Sequence, residues 1–328
     1  MSLHSRDTAY LQNLIDSSAS PIIPKTNPLT EDNLWIIERP LMLESHKRII
    51  LDGAHLRLAD GVYSNIFSTE YPLGGVCQHK ENISIIGQNG AILDGGIYNG
   101  LSEKNSCKDG LPHIYNNHLI FMRNVDRFEV RGLKIIEPRH WALTFHHCTN
   151  GTITDIEFQA SNQARNQDGI DLRFGCHDIL IENISGATGD DTVALTALNH
   201  RPENAFFIPN RISDIYNITI RNVNAACTGG HGIIRLLCHD GCRVHDILVE
   251  NIIDRNFEIG KKNHATIRIG DKNYSKIKPA EDSDMYNLTI RRVKTDSPVA
   301  ILLHGHPQNL TITDIENTNG EILVNTKV

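Results

Sequence analysis

Asp178-Ile-Leu-Ile-Glu-Asn-Ile184 has apolar residues at alternate positions and then places an Asn before its last apolar residue. The pattern recurs along the chain in the copies Gly151–Ile156, Asn217–Val223, Asp246–Ile252, Asn287–Val293 and Asn309–Ile315 and, more weakly, in Asn82–Ile86 and Phe128–Leu133. Alternation with a period of two is typical of a β-strand with one buried face. Each copy is therefore predicted to form one short strand.

The spacing of the copies indicates a solenoid. Their central apolar residues are 23, 28, 39, 29, 41 and 22 residues apart, at Val130, Ile153, Ile181, Ile220, Val249, Ile290 and Ile312. Repeats of about 20 to 50 residues are typical of solenoids and propellers, but a propeller blade would need about four strands per repeat. One strand per repeat favours a parallel β-helix in which the longer spacings carry loop insertions. A β-sandwich is the alternative.

The polar residue near the end of each copy supports this interpretation. Asn and Asp tolerate left-handed backbone geometry and bond to nearby main chain, so they suit a corner between two strands. We expect a ladder of corner residues made of Asp155, Asn183, Asn222, Asn251 and Asp314, which Arg292 interrupts.

The N-terminus follows a different pattern. Residues 7–18 have helical periodicity, and one face carries Tyr10, Leu11, Leu14 and Ile15. A solenoid must cover its end, and this helix is the natural cap. The prediction is one β-helix domain over residues 1–328, with a helical cap in 1–20 and coils from about 45 to 328.

The composition argues against some classes of partner. The 328-residue chain carries a formal net charge of −7, which disfavours nucleic acid and anionic membranes. No apolar run approaches the roughly 20 residues needed to span a bilayer, and the first residues lack the apolar segment of a secretion signal. The seven scattered cysteines are an odd number, which favours free thiols. These features predict a cytoplasmic protein, or a secreted one if a signal has been removed.

Carboxylates are concentrated in two consecutive coils. The segments that carry them are Asn166-Gln-Asp-Gly-Ile-Asp171 and Gly189-Asp-Asp-Thr-Val193. Asp168 and Asp190 lie 22 residues apart, which is the length of one coil. In a solenoid this spacing places them on neighbouring coils at the same face.

The next coils offer a His and an Arg in the same region. His231 lies in Gly229-Gly-His-Gly232, and Arg268 lies in Ile267-Arg-Ile-Gly270. Glycoside hydrolysis needs paired carboxylates, since one protonates the leaving oxygen while the other activates water or attacks the sugar. Crowding of like charges raises the pKa of at least one carboxyl and keeps a proton available. The combination therefore predicts a glycoside hydrolase site.

Asp190 and Asp191 present a geometric problem. Adjacent residues of a strand point to opposite faces, so both carboxylates can reach one cleft only if the backbone bends there. The preceding Gly189 would permit such a bend.

The motifs together resemble those of the polygalacturonase and rhamnogalacturonan hydrolase family of pectin-degrading glycosidases, within the pectin-lyase-like β-helix superfamily. Their order is the same, and the resemblance covers most of the chain, including the capping helix. It implies an all-β, single-stranded right-handed parallel β-helix that acts with inversion and uses no metal or cofactor. It also implies a carbohydrate substrate, namely an acidic pectin-type polysaccharide or an oligosaccharide derived from one.

The resemblance further implies a role for each residue. Asp190 would be the general acid, while Asp168 and Asp191 would hold and activate the attacking water. The sugar would be positioned by Asn166, His231 and Arg268, of which the arginine would face a substrate carboxylate.

The sequence departs from the family at two positions. Gln167 replaces the usual Thr, and Gly270 stands where a Lys that helps to recognise a uronic acid is expected. Arg235, which shares the alternation phase of His231, or Lys272 could substitute for that Lys.

Two other functions stay open at this stage. A polysaccharide lyase on the same scaffold would need a basic residue near the α-carbon of the sugar, and a non-catalytic β-helix could bind glycans.

Residues 198–207 lengthen the coil after Asp191 and would wall one end of the cleft, as expected for an enzyme that trims short chains or chain ends. Three aromatic residues, Trp141, Tyr115 and Tyr274, could stack on sugar rings, although packing under a loop is at least equally expected for each.

Overall fold

The computed structural model describes residues 3–70, 77–100, 116–198, 208, 210–271 and 278–326. Tyr115, Lys272, Tyr274 and positions 199–207 lie outside these ranges. The described helices are the α-helix α1, which spans Leu3–Ser17, and two short 3₁₀ helices, which span Asn256–Ile259 and Asp282–Asp284.

The described strands all belong to two parallel sheets. In the N-terminal half they are β1 Ile22–Pro24, β2 Trp35–Ile37, β3 Leu41–Met42, β4 Lys47–Asp52, β5 His55–Leu58, β6 Phe67–Ser68, β7 Lys80–Gln88, β8 Ile92–Asp94, β9 Ile120–Arg123, β10 Val125–Ile136, β11 Leu143–His146 and β12 Thr149–Gln159. In the C-terminal half they are β13 Ile170–Arg173, β14 His177–Thr188, β15 Val193–Ala197, β16 Ile215–Cys227, β17 Ile234–Cys238, β18 Val244–Asp254, β19 Ile267–Ile269, β20 Met285–Thr295, β21 Val299–Leu303, β22 Gln308–Asn317 and β23 Glu321–Asn325.

The chain passes from one sheet to the other in every coil. From β9 to β23 the strands alternate between a 13-stranded and a 10-stranded sheet, and each strand pairs in parallel with its counterpart one coil later. The result is a right-handed parallel β-helix, so the predicted fold class is confirmed. The first strand in the sheets begins at Ile22, earlier than the boundary near residue 45 that the repeats indicate.

The sequence repeat coincides with the register of the 13-stranded sheet. The central apolar residues pair directly with one another along the series Val130, Ile153, Ile181, Ile220, Val249, Ile290 and Ile312. All of them except Ile312, in the last coil, are completely buried in one continuous core. Burial of these side chains is what fixes the register, because a slip of one residue would turn every one of them outward.

The predicted ladder of corner residues is present. All its members, and Arg292 as well, have φ between 54° and 57°, in the left-handed region. Asn183 donates to Asp155 at 3.0 Å, Asn222 donates to Asn183 at 3.2 Å, and Asn251 donates to Asn222 at 2.6 Å. Each amide therefore hydrogen bonds to the corner of the preceding coil, which ties neighbouring coils together.

The N-terminal helix packs against the first coils. It begins at Leu3, before the predicted start at Asp7, and buries Leu11 and Ile15 completely. Asp7 lies within the helix, and its carboxylate accepts hydrogen bonds from the Ile36 amide at 2.9 Å and from the side chain of Asn27 at 3.0 Å. These buried bonds fix the helix to strand β2.

No helix in the described ranges has the length and apolar character to cross a membrane. The cysteines in those ranges are free thiols at positions 77, 148, 176, 227, 238 and 242. Burial raises the pKa of Cys176 to about 12, so this thiol stays protonated and packs as a small apolar side chain.

We predict that Asn222→Ala lowers the free energy of unfolding by about 1–3 kcal/mol, because alanine disfavours the left-handed backbone and the ladder hydrogen bonds are lost. Urea denaturation followed by circular dichroism would measure this effect. Thr219→Ala, on the same strand with ordinary backbone geometry, is the control and should change stability by less than about 0.5 kcal/mol. Equal stability of the two variants would show that the ladder does not stabilise the coils.

Candidate active site

The candidate site residues lie on, or just before, successive strands of the ten-stranded sheet. Asp168 precedes β13 by two residues, and Asp191 precedes β15 by two residues. His231 precedes β17 by three residues, and Arg268 lies on β19. Because β13, β15, β17 and β19 are neighbours in this sheet, the fold brings the motifs together.

The 22-residue spacing predicts that Asp168 lies opposite Asp190, but the observed pairing of the two coils is shifted by one residue. Ile170 pairs with Val193, so the coil is 23 residues long at this point and Asp168 lies opposite Asp191 rather than Asp190. Asp190 still joins the group, because one carboxylate oxygen from each of the three aspartates lies within 4.8 Å of the other two.

A bend before β15 allows Asp190 and Asp191 to face the same cleft. The carbonyl oxygen of Gln167 accepts hydrogen bonds from the backbone amides of Gly189 at 2.9 Å and of Asp190 at 3.2 Å. Thr188 Oγ1 donates to the Asp190 carbonyl at 2.7 Å, and the strand begins only after this bend. The two carboxylates are therefore not adjacent strand residues, which removes the conflict with strand alternation.

Gln167 fits its position through contacts that a Thr would not reach. Its buried side chain donates from Nε2 to the Pro138 carbonyl at 2.7 Å and to Glu137 Oε2 at 3.3 Å. A Cβ at position 189 would lie 2.6 Å from the Gln167 Cβ, so Gly189 is required for the two coils to approach. Gln167 thus holds the bend that presents the two aspartates.

Burial and crowding raise the pKa values of Asp168 and Asp190. Asp168 is 6% exposed and Asp191 is 1% exposed, whereas the side chain of Asp190 is 14% exposed. Burial raises the pKa of Asp168 well above its usual range, and the neighbouring carboxylates raise it further. Burial also raises the pKa of Asp190 to about 6, with a further contribution from Asp191, while His231 and Arg235 act in the opposite direction.

His231 and Asn166 stand at the rim of the carboxylate group. His231 Nδ1 lies 3.6 Å from Asp190 Oδ1, and about half of the His231 side chain is exposed. Asn166 has a left-handed backbone with φ of 57° and lines the same cavity as Asp168 and Asp190. Both residues can therefore contact a sugar that lies over the carboxylates.

Two arginines on adjacent strands stand beside the carboxylates. Arg235 pairs in register with Arg268, so both side chains point out of the core. Arg235 Nη1 lies 3.7 Å from Asp191 Oδ2, and Arg235 Nη2 donates to Asp271 Oδ2 at 3.0 Å. Arg268 Nη2 lies 3.9 Å from the same oxygen of Asp271. Asp271, which sequence reasoning missed, therefore links the two guanidinium groups.

Five further residues line the cavity without having been assigned to the site from the sequence, namely Trp141, Asp171, Arg173, Ala194 and Thr196. Asp171 points outward in the same row as Arg235, two strands away with Ala194 between them, and Arg173 Nη1 lies 3.8 Å from Asp171 Oδ1. The Arg173 guanidinium lies 4.2 Å from the centre of the Trp141 ring. Burial raises the pKa of Asp171 well above its usual range, against the effect of Arg173. The sequence could have identified Asp171, because the alternation of strand β13 places its side chain on the outward face of the sheet.

Comparison with known proteins shows which family the chain belongs to. The sequence profile of glycosyl hydrolases family 28 matches residues 47–269. No curated protein sequence matches the chain. Among solved structures, the endo-xylogalacturonan hydrolase from Aspergillus tubingensis is similar at 14% identity and a TM-score of 0.56, over 98% of this chain and 94% of that one.

Two other solved structures share the fold. The polygalacturonase from Erwinia carotovora is 16% identical, with a TM-score of 0.58 over 96% of this chain and 93% of that one. The exopolygalacturonase from Thermotoga maritima is 14% identical, with a TM-score of 0.54 over 97% of this chain and 86% of that one. Because the family profile covers more than half of the chain, the protein belongs to glycosyl hydrolases family 28 and is an O-glycosyl hydrolase.

Proposed function

We propose that the protein cleaves glycosidic bonds with inversion in pectin-type acidic polysaccharides, or in oligosaccharides derived from them, in a polygalacturonase-like reaction. The observation that carries the proposal is the group formed by Asp168, Asp190 and Asp191, whose oxygens lie within 4.8 Å of one another. An arginine, Arg235, lies 3.7 Å from this group. The family profile and the polygalacturonases of similar fold support a carbohydrate of this class as the substrate.

Asp190 is the general acid in this mechanism. It is the most exposed of the three carboxyls, so it can reach the oxygen of the scissile bond. Its pKa of about 6 leaves a large share of the molecules protonated under weakly acidic conditions. The proton passes to the leaving oxygen as the bond to the anomeric carbon breaks.

Asp168 and Asp191 hold the attacking water. Both are almost fully buried, so they reach the anomeric carbon through a water molecule rather than directly. The pKa of Asp168 is raised, whereas Asp191 forms an ion pair with Arg235 at 3.7 Å. We therefore assign the water proton to Asp191 and the positioning of the water to Asp168. The water oxygen forms the new bond to the anomeric carbon.

The distance between the carboxyls of a glycosidase is related to whether the anomeric configuration is inverted or retained. Inverting glycosidases usually place their two carboxyls about 6.5–9.5 Å apart, and retaining ones about 5 Å apart. The oxygens here lie within 4.8 Å, which by that rule favours a covalent route. Inversion is proposed because Asp168 and Asp191 are both almost fully buried and lie opposite each other on neighbouring coils, which suits a shared water better than a single nucleophile.

Recognition of an acidic sugar falls to Arg268 and Arg235. Gly270, where the family resemblance implies a Lys, has a left-handed φ of 77°. A Cβ there would lie 2.6 Å from the His304 carbonyl oxygen, so this backbone excludes any side chain at the position. Arg268 lies two residues before it on β19, and its side chain is 13% exposed. We assign it to the substrate carboxylate.

The compartment is part of the same proposal. The free thiols of the described cysteines support a reducing compartment, so we propose the cytoplasm. An imported oligosaccharide is then a more suitable substrate than an intact polysaccharide. The net charge of −7 gives such an anion no long-range attraction, so its binding depends on the local arginines.

We predict that Asp190→Asn lowers kcat on oligogalacturonides by roughly 10²–10⁴-fold, because the amide keeps the shape of the side chain but cannot donate the proton. Release of reducing sugar measures this loss. Asp16→Asn, an exposed residue of α1, is the matched control and should keep full activity.

The same assay distinguishes other mechanisms. Nuclear magnetic resonance of the first product should show the anomer opposite to that of the cleaved bond, and the retained anomer would overturn inversion. Unsaturated products with new absorbance would identify a lyase. An unchanged kcat in Asp190→Asn would remove this residue from the role of acid.

The pH dependence should follow the general acid. Because the acid works only when it is protonated, kcat/KM should fall as pH rises above about 6. His231 lowers the pKa of Asp190, so His231→Gln should move the alkaline limb to higher pH. His46→Gln, on an exposed histidine far from the cleft, is the control. If the alkaline limb of the pH profile stays at the same pH in His231→Gln, the limb reports the ionisation of a group other than Asp190.

We predict that Arg268→Ala raises KM for oligogalacturonides at least about tenfold, which corresponds to the loss of about 1.4 kcal/mol of binding. The effect should be smaller for the same oligosaccharides with methyl-esterified carboxyls, since a neutral ester does not need the guanidinium. Steady-state kinetics on both substrates gives the comparison. Equal losses on the two would show that Arg268 does not recognise the carboxylate.

A further inference from the structure

The outer face of the ten-stranded sheet differs on the two sides of the carboxylates. On the N-terminal side, each outward residue is at most 5% exposed. These residues are Ser68, Phe121, Arg123, Thr144 and His146. On the C-terminal side, Leu237 and Leu302 are also covered, but the side chains of Arg235 and Arg268 are 15% and 13% exposed, and that of His231, just before β17, is 53% exposed. A long substrate chain that ran along the helix axis would need both sides to be accessible.

Packed rings cover the N-terminal side. The ring of Phe121 lies 5.8 Å from that of His118 and 5.3 Å from that of His146. His118 also lies 5.9 Å from Trp141, which in turn lies 4.6 Å from His140. These rings pack against one another on the outer face of strands β9 and β11, one and two coils beyond Asp168. We call this group of rings the end wall.

Buried polar contacts fix the end wall to the first coils. Arg139, which is 1% exposed, donates to the carbonyls of Ala59 at 2.8 Å and Val62 at 2.8 Å. Arg123 donates from Nη1 to both carboxylate oxygens of Glu70, at 2.7 and 2.8 Å. Breaking a buried charged pair of this kind is costly, so the wall is a fixed part of the fold.

The wall begins one coil beyond Asp168. Leu143 pairs with Ile170, which places Trp141 opposite Asp168 on the preceding coil. The Ala142 amide donates to the Asp168 carbonyl at 2.9 Å, in agreement with this register. Neighbouring strands are about 4.8 Å apart. Because Trp141 stands only one coil beyond Asp168, a sugar bound over Asp168 meets the wall on this side and leaves no room for a further sugar.

The proposed mechanism sets the direction of the sugar chain. Asp168, which holds the water for attack on the anomeric carbon, is on the side of the end wall, whereas Asp190 has His231 on the open side. The sugar that is attacked thus lies against Trp141 and Arg173, and the leaving portion extends toward Arg268. A sugar attacked at its anomeric carbon with nothing beyond it is the non-reducing end of the chain.

We propose, building on the hydrolase function above, that this enzyme is exo-acting and removes single sugars from the non-reducing end, with Trp141 as the specificity-determining residue of the end wall. Structures of similar fold include both an endo-acting and an exo-acting enzyme, so the fold alone does not decide this property.

Oligogalacturonides that carry a fluorescent label at the reducing end test the proposal on the wild-type enzyme. The expected first products are the labelled chain shortened by one sugar and unlabelled monosaccharide. Labelled fragments of all lengths at the earliest times would overturn exo action, and early release of the label with one sugar would overturn the direction. Absence of any cleavage would instead refute the hydrolase proposal on which this inference rests.

A variant of the wall tests its role directly. Trp141→Ala should lower kcat/KM for monosaccharide release about tenfold, the equivalent of about 1.4 kcal/mol, and should raise the share of internal cleavage. Tyr10→Ala, an aromatic on the capping helix that stacks on Trp35 at 5.7 Å, is the matched control and should keep the wild-type products. A Trp141→Ala enzyme with wild-type products and kinetics would exclude the residue from the wall. If this variant does not fold, the wild-type product series still decides between exo and endo action.

Discussion

The in-register stacking of coils is the constraint on which the rest of the structure depends. Each coil adds one strand to each sheet, and the buried row from Val130 to Ile290 excludes a slip of register. Because strands stack about 4.8 Å apart, residues that are a full coil apart in sequence become nearest neighbours in space. Single left-handed residues such as Asn183 and Asn222 turn the chain at the corners and hydrogen bond to each other, so the coils stay aligned where the strands bend.

Stacking also explains the electrostatics of the site. Like charges repel, yet the register places Asp168 opposite Asp191, and the bend held by Gln167 adds Asp190. The rigid scaffold prevents these side chains from moving apart, so protonation relieves the repulsion, and the pKa values of Asp168 and Asp190 rise. A carboxyl that retains its proton near neutral pH is what the proposed acid requires. The catalytic chemistry thus follows from the same constraint as the fold.

The sequence predicts the parts of the structure that repeat, and it fails where the chain departs from the repeat. Alternation and spacing predicted the β-helix, its corner residues and the gathering of the motifs. The one-residue error in aligning Asp168 with Asp190 arose because a coil length was read from motif spacing, whereas a bend at Gly189 shifts the motif relative to its strand. Asp271 was missed because it lies two residues beyond the end of a three-residue strand, where alternation no longer indicates the direction of a side chain.

The position of Gly270 shows how the scaffold can move specificity from one residue to another. A left-handed backbone beside the His304 carbonyl excludes a lysine there, so a charge that recognises a uronic acid has to come from another residue of the same strand or of a neighbouring strand. Arg235 and Arg268 are in register to supply it, but both lie within 4 Å of Asp271. A substrate carboxylate therefore has to share these guanidinium groups with a resident acid. Such a site would bind the anion more weakly than one with an additional lysine, and selection of the substrate would then depend more on the closed end of the cleft at Trp141.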